Sequence, residues 1–225
     1  MSILDKAIAE KAAFLSEFEA KQLLKEYRIP VTDDRLVGDV EQAAAAAEAL
    51  GYPVVLKGCG RTLLHKTEMN LVKVNLTDAE AVRRAASDMF ARLPQDADGL
   101  LVSPMLDTRR EFIAGVTQDA QFGPVVAFGL GGIFTETIKD VAFRVAPFEL
   151  GDGVDLIRDV QARKLMYSVR GLPAIDREAM ANLLSNLSKL AAEQTVIEEV
   201  DCNPILTNGD QPVVVDALIK LRKTA

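Results

Sequence analysis

The chain contains one histidine, His65, in the polar stretch Leu64-His65-Lys66-Thr67-Glu68. It follows a strand-like segment, 53–57, that ends on Lys57. A neutral imidazole can accept a phosphoryl group and pass it on, and a lysine that closes a buried strand can hold the phosphates of the donor. His65 and Lys57 are therefore candidate residues for phosphoryl transfer. An exposed histidine and an exposed lysine without chemical roles remain the alternative.

Oxygen-bearing side chains near the C-terminus form a second candidate site. Asn203 and Asp216 lie thirteen positions apart, on opposite arms of a predicted hairpin. Mg²⁺ prefers oxygen ligands and often takes only one or two carboxylates. Asp201, two residues before Asn203 and on the same strand face, is a further oxygen donor or a partner for a nearby cation. The alternative is a turn at Asn203-Pro204 followed by a charged strand end.

A glycine cluster, Gly129-Leu130-Gly131-Gly132, follows an apolar segment. Glycines there let backbone amides approach a phosphate or a nucleotide closely, although a tight turn explains them equally well. The spacing differs from the Rossmann fingerprint, and the chain has no Walker lysine motif. A bound nucleotide would therefore be held in another manner. Glu111, at the start of a predicted strand, could hold a ribose hydroxyl pair, with an exposed edge carboxylate as the alternative.

Helix and strand patterns alternate along the chain, which favours α/β or α+β layers. In the first half, the patterns predict a helix after the capping box Ser16-x-x-Glu19, a helix from Asp39 to Gly51, strands at 52–57 and 71–76, and a helix opened by Thr77-x-x-Glu80 that reaches about Leu93. Residues 61–70 are polar and lack a clear period. His65 is thus predicted to lie on a loop, where catalytic residues are common.

In the second half, strands and helices are bounded by turn residues. The patterns predict strands at 100–105, 111–117, 124–128 and 141–146, helices at 149–158 and 176–193, and a terminal hairpin from 196 to 216 with a crossing at Asn203-Pro204 and a turn at Asn208-Gly209.

Composition limits the classes of function. The 225 residues carry a formal net charge of -7 and no basic run, which argues against nucleic acid as a partner. Two cysteines, Cys59 and Cys202, suggest reduced thiols. No window is apolar over a membrane-spanning length, and residues 1–10 lack a signal-peptide core. We expect a soluble, cytoplasmic protein without membrane partners.

Six short motifs occur in order along nearly the whole chain. They are Leu-Ser-x-x-Glu-Ala (15–20), Pro-Val-Val-Leu-Lys (53–57), His-Lys-Thr-Glu (65–68), Phe-Gly-Pro-Val-Val-Ala-Phe-Gly-Leu-Gly-Gly-Ile-Phe-Thr-Glu (122–136), Lys-Asp-Val-Ala-Phe-Arg (139–144) and Asp-Cys-Asn-Pro (201–204). Together they resemble the ATP-grasp subunit or domain of ADP-forming acyl-CoA synthetases of the acetate–CoA ligase type. The β subunit of succinyl-CoA synthetase is similar more distantly.

This resemblance implies an α/β (α+β) ATP-grasp fold over residues 1–225, with nucleotide between two lobes. The smaller lobe would be 23–102, and the larger, nucleotide- and metal-binding lobe would be 103–225 together with 1–22. The implied site residues are Lys57 for the ATP phosphates, Ser103, Pro104, Met105 and Leu106 for the adenine hinge, Glu111 for ribose, Gly131 and Gly132 for the nucleotide, Asn203 and Asp216 for Mg²⁺, His65 for phosphate relay, and Lys66 and Arg144 for phosphate charge.

The implied reaction converts an acid, CoA and ATP into acyl-CoA, ADP and phosphate through phosphohistidine. The chain has no CoA-binding motif and no second histidine. A CoA-binding α subunit or fused domain with its own phosphohistidine would therefore bind the small carboxylic acid and its acyl-CoA. Two alternatives stay open: a regulatory ATP-grasp domain of a protein acetyltransferase, and an ATP-grasp carboxylate–amine ligase.

One position departs from the family pattern. Where the family commonly has glycine after the His-Lys motif, this chain has Asn70-Leu71. Asparagine tolerates a positive φ, whereas leucine does so poorly. We expect the loop to close differently from its relatives, and glycine at both positions to improve turnover or nucleotide binding.

Overall fold

The computed structural model describes residues 2–106, 110–132, 140–168 and 171–222. The chain divides into two compact units. The first unit comprises Met1–Glu19 and Thr32–Met105, and the second comprises Ala20–Val31 and Leu106–Ala225. Each unit contains its own antiparallel sheet.

The first unit is built on a four-stranded sheet with helices packed against it. Its elements are α1 (Ile3–Ala9), the start of α2 (Glu17–Glu26), β1 (Arg35–Val37), α3 (Val40–Leu50), β2 (Val54–Cys59), β3 (Val72–Leu76), α4 (Ala79–Phe90) and β4 (Gly99–Pro104). The strand order is β1-β4-β2-β3, and all neighbours are antiparallel. β2 is therefore a central strand, and it ends near the loop that contains His65.

Side-chain caps fix the helix boundaries. The Ser16 amide donates to Glu19 at 3.0 Å and the Glu19 amide donates to Ser16 at 3.4 Å, so the predicted capping box of α2 is confirmed. Asp39 caps α3 as predicted, and its carboxylate accepts from the Gln42 amide. The predicted start of α4 at Thr77 was wrong. Asp78 caps that helix instead, because its carboxylate accepts a hydrogen bond from the Ala81 backbone amide at 2.8 Å.

The core of the first unit lies between its sheet and helices α3 and α4. Its buried members are apolar residues from both layers: Val37, Ala43, Ala44, Ala47, Val54, Leu56, Leu63, Leu71, Val82, Ala86, Met89, Leu100 and Val102. Strand alternation turns Val55 and Lys57 to the other face of the sheet. The register places Lys57 beside Leu101 of β4, so Leu101 and Ser103 share that second face.

The second unit is built on a six-stranded sheet. Its elements are β5 (Phe112–Asp119), β6 (Gly123–Leu130), β7 (Val141–Val145), α5 (Leu150–Asp159), a 3₁₀ helix (Gln161–Met166), α6 (Arg177–Glu193), β8 (Ile197–Asn208), β9 (Gln211–Val214) and β10 (Ala217–Leu221). The order is β10-β8-β5-β6-β7, with β9 paired to β8. α6 packs on β5 and β6, and α5 packs on α6.

The two faces of this sheet differ in character. One row of paired residues, Val116, Val126, Val200 and Ile219, is buried. The next row along the strands, which includes Gly115, Ala127 and Asp201, points to the opposite face, and Asp201 is exposed. The helices thus cover one face, and the other carries the acidic end of β8.

The C-terminal segment differs from its prediction. A hairpin crossing was expected at Asn203-Pro204, but β8 continues through this pair to Asn208 with a local irregularity in its pairing to β5. A further strand, β10, was not predicted. It pairs with β8, so that Ala217 lies beside Cys202. A chain that turns once at Asn208-Gly209 can return along the whole length of β8, which the local pattern around Asp216 did not reveal.

The N-terminal segment groups with the first unit, whereas the sequence analysis assigned 1–22 to the lobe of 103–225. Ion pairs explain this grouping. Glu10 and Glu19 pair with Arg61, and Glu17 pairs with both Lys57 and Lys66, all three of them basic residues of the β2–β3 segment. The lobe boundaries at 23–102 and 103–225 stay a proposal.

Both cysteines, Cys59 and Cys202, are buried and unpaired, in agreement with the expectation of reduced thiols. Burial raises the pKa of the Cys59 thiol to about 11. Among the described residues, no helix is long and apolar enough to cross a membrane.

Candidate functional site

His65 lies on the loop that joins β2 to β3, as predicted from the sequence. Its side chain is 73% exposed, and its Nδ1 atom lies 3.7 Å from an Oε1 atom of Glu68. Backbone hydrogen bonds shape the loop after it: the Met69 amide donates to His65, and the Leu71 amide donates to Lys66. The imidazole is thus accessible to a reacting group while its backbone is held.

Glu17 and two lysines form a buried ionic cluster below this loop. Lys57 Nζ donates to Glu17 Oε1 at 2.7 Å, and Lys66 Nζ donates to Glu17 Oε2. The side chains of Glu17, Lys57 and Lys66 are only 3%, 7% and 14% exposed. One carboxylate therefore bridges two ammonium groups close to His65.

A second ionic cluster holds the beginning of the loop. Arg61 donates to Glu19 through two nitrogens, at 2.8 and 2.6 Å, and to Glu10 at 2.6 Å. Burial raises the pKa of the Glu19 carboxyl, but Arg61 and the Ser16 amide outweigh burial and leave the pKa below its usual value. The loop is therefore tied to α2 at Arg61 as well as at Lys66.

The loop accommodates Asn70 and Leu71 at the positions where the family commonly has glycine. Asn70 adopts a φ of 54°, the left-handed conformation that glycine or asparagine can take. Leu71 is fully buried in the core of the first unit, and its carbonyl accepts the Gly58 amide at 2.8 Å. A Cβ atom at Gly58 would lie 3.1 Å from that of Leu71, so glycine permits this close approach. The burial of Leu71 argues against a gain from glycine at that position, while the effect of glycine at both positions on turnover and nucleotide binding stays a prediction.

The predicted adenine-hinge residues follow β4. Ser103 lies beside Val55, on the sheet face that also carries Lys57, and its buried hydroxyl has no hydrogen-bond partner in the described part of the chain. Pro104 ends the strand, and the Met105 amide donates to Pro53 at 3.1 Å. Leu106 begins the second unit. Lys57 and Ser103 thus lie on the same face of the four-stranded sheet.

In the second unit, Glu111 lies against the glycine pair Gly131-Gly132. The Gly131 amide donates to the Glu111 carbonyl at 2.8 Å. A Cβ atom on Gly132, whose φ is 81°, would lie 3.1 Å from a carboxylate oxygen of Glu111. The two predicted nucleotide-binding elements are therefore adjacent, and glycine allows the contact. The rest of that glycine motif, residues 133–136, and Lys139 of the next motif lie outside the described residues.

The predicted metal ligands Asn203 and Asp216 are neighbours: Asn203 lies on β8, and Asp216 lies in the link between β9 and β10. The backbone amide of Asn203 donates a hydrogen bond to the backbone carbonyl of Asp216 at 3.2 Å. Although part of Asp201 is exposed, desolvation of its carboxyl group, together with the like charges of Asp216 and Glu199, raises its pKa, so Asp201 belongs to the same acidic group. A divalent cation would offset this repulsion, and its preferred ligands are oxygens. In the described ranges, no three His, Cys, Asp or Glu side chains by themselves converge on a metal position.

Arg144 is separated from these residues. It lies beside Val126 in the sheet, in the row of the helix-covered face, and donates to Asp159 of α5 at 3.2 Å. Asp201 points to the opposite face. The structure therefore does not bring Arg144 to the acidic group, and its assignment to phosphate charge stays a prediction.

Sequence reasoning missed Glu17. Two glutamates, at 17 and 19, occupy the first turn of a helix, where acidic residues are common because they favour the positive end of the helix dipole. The motif Ser16-x-x-Glu19 drew attention to Glu19 as a cap. The available signal was the grouping of three basic residues, Lys57, Arg61 and Lys66, around a predicted buried strand end, since buried basic groups require carboxylate partners.

Comparison with known proteins agrees with this arrangement. A model of the ATP-grasp domain family matches residues 6–221. The beta subunit of acetate–CoA ligase [ADP-forming] I from Pyrococcus furiosus is 39% identical over 220 residues, which cover 96% of this chain and 94% of that subunit.

Solved structures show the same fold. The dinucleotide-forming acetyl-coenzyme A synthetase 1 of Ca. Korarchaeum cryptofilum, in complex with coenzyme A, Ca-AMPCP and HgCl+, matches with a TM-score of 0.92 and 38% identity over 98% of both chains. A second structure of it, with coenzyme A and Mg-AMPPCP and with its phosphohistidine segment pointing towards the nucleotide binding site, matches with a TM-score of 0.87, 38% identity and the same coverage. The chain therefore has the ATP-grasp fold and belongs to the ATP-grasp family, among the beta subunits of ADP-forming acetate–CoA ligases.

Proposed function

We propose that this chain is the nucleotide-binding subunit of an ADP-forming acyl-CoA synthetase, an acid–thiol ligase that works with a CoA-binding partner. The observation that carries the proposal is an exposed His65 on a loop tied to the buried Lys57–Glu17–Lys66 cluster, in a chain of this family. A nucleophile beside fixed positive charge suits transfer of an anionic phosphoryl group.

The proposed step at His65 balances without an added proton. A neutral imidazole nitrogen forms a bond to the γ-phosphorus of ATP while the bond from that phosphorus to the bridging oxygen breaks, and ADP leaves. The ring keeps its one N–H and carries the phosphoryl group. Lys66, next to His65 and held by Glu17, supplies positive charge close to the transferred group.

Nucleotide binding is assigned within each unit separately. In the first unit, Lys57 would contact the phosphates, and the backbone of Ser103 to Met105 would bind the adenine edge. In the second unit, Glu111 would hold the ribose, and the amides of Gly131 and Gly132 would face the nucleotide. The close approach of the glycines to Glu111 supports the second assignment, and the shared face of Lys57 and Ser103 supports the first.

Magnesium fits the oxygen donors of the second unit. Asn203 and Asp216 would hold it, and its charge would offset the repulsion that Asp216 and Glu199 exert on Asp201. When bound, Mg²⁺ neutralises phosphate charge and orients the nucleotide. The structural relative with Mg-AMPPCP supports this choice of metal.

Replacing a metal ligand should change the metal dependence of nucleotide binding. Asp216→Asn removes a hard anionic ligand but keeps an oxygen, so we expect the thermal shift produced by ATP to depend much less on added Mg²⁺. The shift is measured with ATP plus EDTA and with ATP plus MgCl₂. Asp210→Asn, on the nearby hairpin turn, is the matched control and should retain the parental dependence. Parental dependence in Asp216→Asn would remove this residue from the metal site.

Lys57 should account for much of the nucleotide affinity. A ligand that binds only the folded state adds about 2.7 kcal/mol of stability at a hundredfold excess over its Kd. Lys57→Ala should lose most of this gain in a thermal-shift titration with Mg-ATP. Lys73→Ala, on the neighbouring strand β3, is the control for loss of a positive charge. If Lys57→Ala and the parent gain equal stability, Lys57 does not contact nucleotide.

A CoA-binding partner is part of the proposed reaction. The Pyrococcus relative is named a beta subunit, and the Korarchaeum structures contain coenzyme A. We propose that a CoA-binding subunit or fused domain with a second phosphohistidine binds the carboxylic acid and its acyl-CoA for this chain too. The cytoplasmic location predicted from the sequence remains a prediction.

An assay of acceptor dependence tests the proposed function. The chain is mixed with the CoA-binding protein of its own source, Mg-ATP and acetate, and ADP release is followed with CoA or with an amine as acceptor. We expect ADP and acetyl-CoA in equal amounts, formed only with the thiol. Release that requires an amine would favour a carboxylate–amine ligase. Nucleotide binding without turnover or label on His65 would favour a regulatory domain, as in protein acetyltransferases.

A further inference from the structure

Glu17 is a buried carboxylate to which the proposed phosphoryl transfer assigns no chemical role. It lies in the first turn of α2, its side chain is 3% exposed, and it accepts hydrogen bonds from both Lys57 and Lys66. A buried charge is tolerated when it is paired and hydrogen-bonded, and both conditions are met here. Removing it would leave two buried ammonium groups without this counter-charge.

The two lysines connect Glu17 to different parts of the phosphoryl-transfer site. Lys57 is fixed on the central strand β2. Lys66 belongs to the loop and follows His65 directly. Glu17 is therefore a bridge between a rigid strand and the segment that carries the nucleophile, and the distance between His65 and the strand depends on it.

We propose that Glu17 is a positioning residue, which rests on the proposed function of His65. Without nucleotide, Glu17 neutralises part of the charge of both lysines and fixes Lys66 beside the strand. When phosphates bind, they supply additional negative charge to the same two lysines. Glu17 thereby sets the orientation of the His65 loop and offsets part of the positive charge that attracts the phosphates.

The substitution Glu17→Gln separates these effects. Glutamine has nearly the same shape but no charge, so Lys57 and Lys66 lose their common counter-charge. We expect a lower melting temperature without ligand and a larger thermal shift with Mg-ATP than in the parent, because the phosphates then replace the negative charge that the substitution removes. We also expect phosphorylation of His65 at saturating ATP to slow at least tenfold, without a rise in the KM for ATP, because Lys66 loses its ion pair with Glu17.

Glu19→Gln is the matched control. Glu19 lies in the same helical turn and pairs with Arg61 at the start of the same loop. It does not contact the two lysines through any hydrogen bond seen among the described residues. Its loss should lower the melting temperature but leave the thermal shift unchanged and the rate of His65 phosphorylation within twofold of the parent. A general loss of stability would thus be distinguished from a loss of positioning.

A double-mutant cycle tests whether Glu17 acts through Lys66. Phosphorylation of His65 from labelled ATP is measured in the reconstituted complex for Glu17→Gln, Lys66→Gln and the double variant. We expect the double variant to be no slower than the slower single variant, whereas independent effects would multiply. If Glu17→Gln does not fold, Glu17→Asp keeps the charge but is too short to reach both lysines, and its rate should fall at least threefold with a parental thermal shift.

The outcomes distinguish a failure of the positioning role of Glu17 from a failure of the proposed function of His65. If His65 is labelled in the parent and Glu17→Gln reacts at the parental rate, the positioning role is wrong but the proposed function stands. The same holds for Glu17→Asp if Glu17→Gln does not fold. Multiplying rate losses in the cycle also contradict it. Absence of label on His65 in the parent contradicts the proposed function, and with it the role of Glu17.

Discussion

His65→Ala should eliminate acyl-CoA formation while nucleotide affinity stays within about threefold of the parent. His65 is the one histidine of the chain, and its side chain is mostly exposed, so its removal takes away the proposed phosphoryl acceptor and disturbs little packing. A loss of at least a thousandfold in kcat/KM corresponds to about 4 kcal/mol of transition-state stabilisation. The measurements are acyl-CoA formation with the partner and a Mg-ATP thermal shift.

Met69→Ala is the control for this substitution, because Met69 is an exposed residue of the same loop and has no proposed chemical role. It should retain activity within twofold. If His65→Ala also turns over at a near-parental rate, the relay assignment is wrong and His65 is an ordinary surface residue.

Leu71→Ala should destabilise the first unit by about 2–5 kcal/mol, the usual cost of truncating a buried leucine. Leu71 is fully buried, belongs to the core of that unit and closes the loop through its carbonyl. The loss is measured as a shift of the urea unfolding midpoint. Because the loop depends on this anchor, phosphorylation of His65 should slow as well.

Two neighbours of Leu71 serve as controls. Leu64→Ala removes a leucine that is 39% exposed on the same loop, so it should change stability by less than about 0.5 kcal/mol. Asn70→Gly should be nearly neutral, because the residue already adopts a positive φ that glycine adopts freely. An equal, small effect of Leu71→Ala and Leu64→Ala would show that the loop is not anchored in the core.

The sequence predicted most of the architecture because local signals agreed with the tertiary structure. Alternation predicted the strands around Lys57 and Glu111, and the caps at Ser16 and Asp39 predicted helix starts. The order of motifs predicted the ATP-grasp fold, which the comparisons confirm. The loop position of His65 followed from the lack of a period in residues 61–70.

The errors come from features that depend on distant residues. The start of α4 depended on which of two neighbouring residues, Thr77 or Asp78, took the cap. β10 is visible only as a partner of β8. Glu17 lies forty positions from Lys57, so no local pattern could show that the two share a buried ion pair. The role of Leu71 likewise depends on contact with Gly58 across the strand pair.

Direct detection of phosphohistidine tests the central claim most directly. The assembled complex is incubated with ATP labelled in the γ-phosphate, and the label is located by peptide mapping after base treatment. We predict an acid-labile, base-stable label on His65, because phosphoramidates hydrolyse in acid, with loss of the label when ADP is added back. A complex that forms acyl-CoA but carries no label on His65, or carries it only on another residue of this chain, would contradict the account.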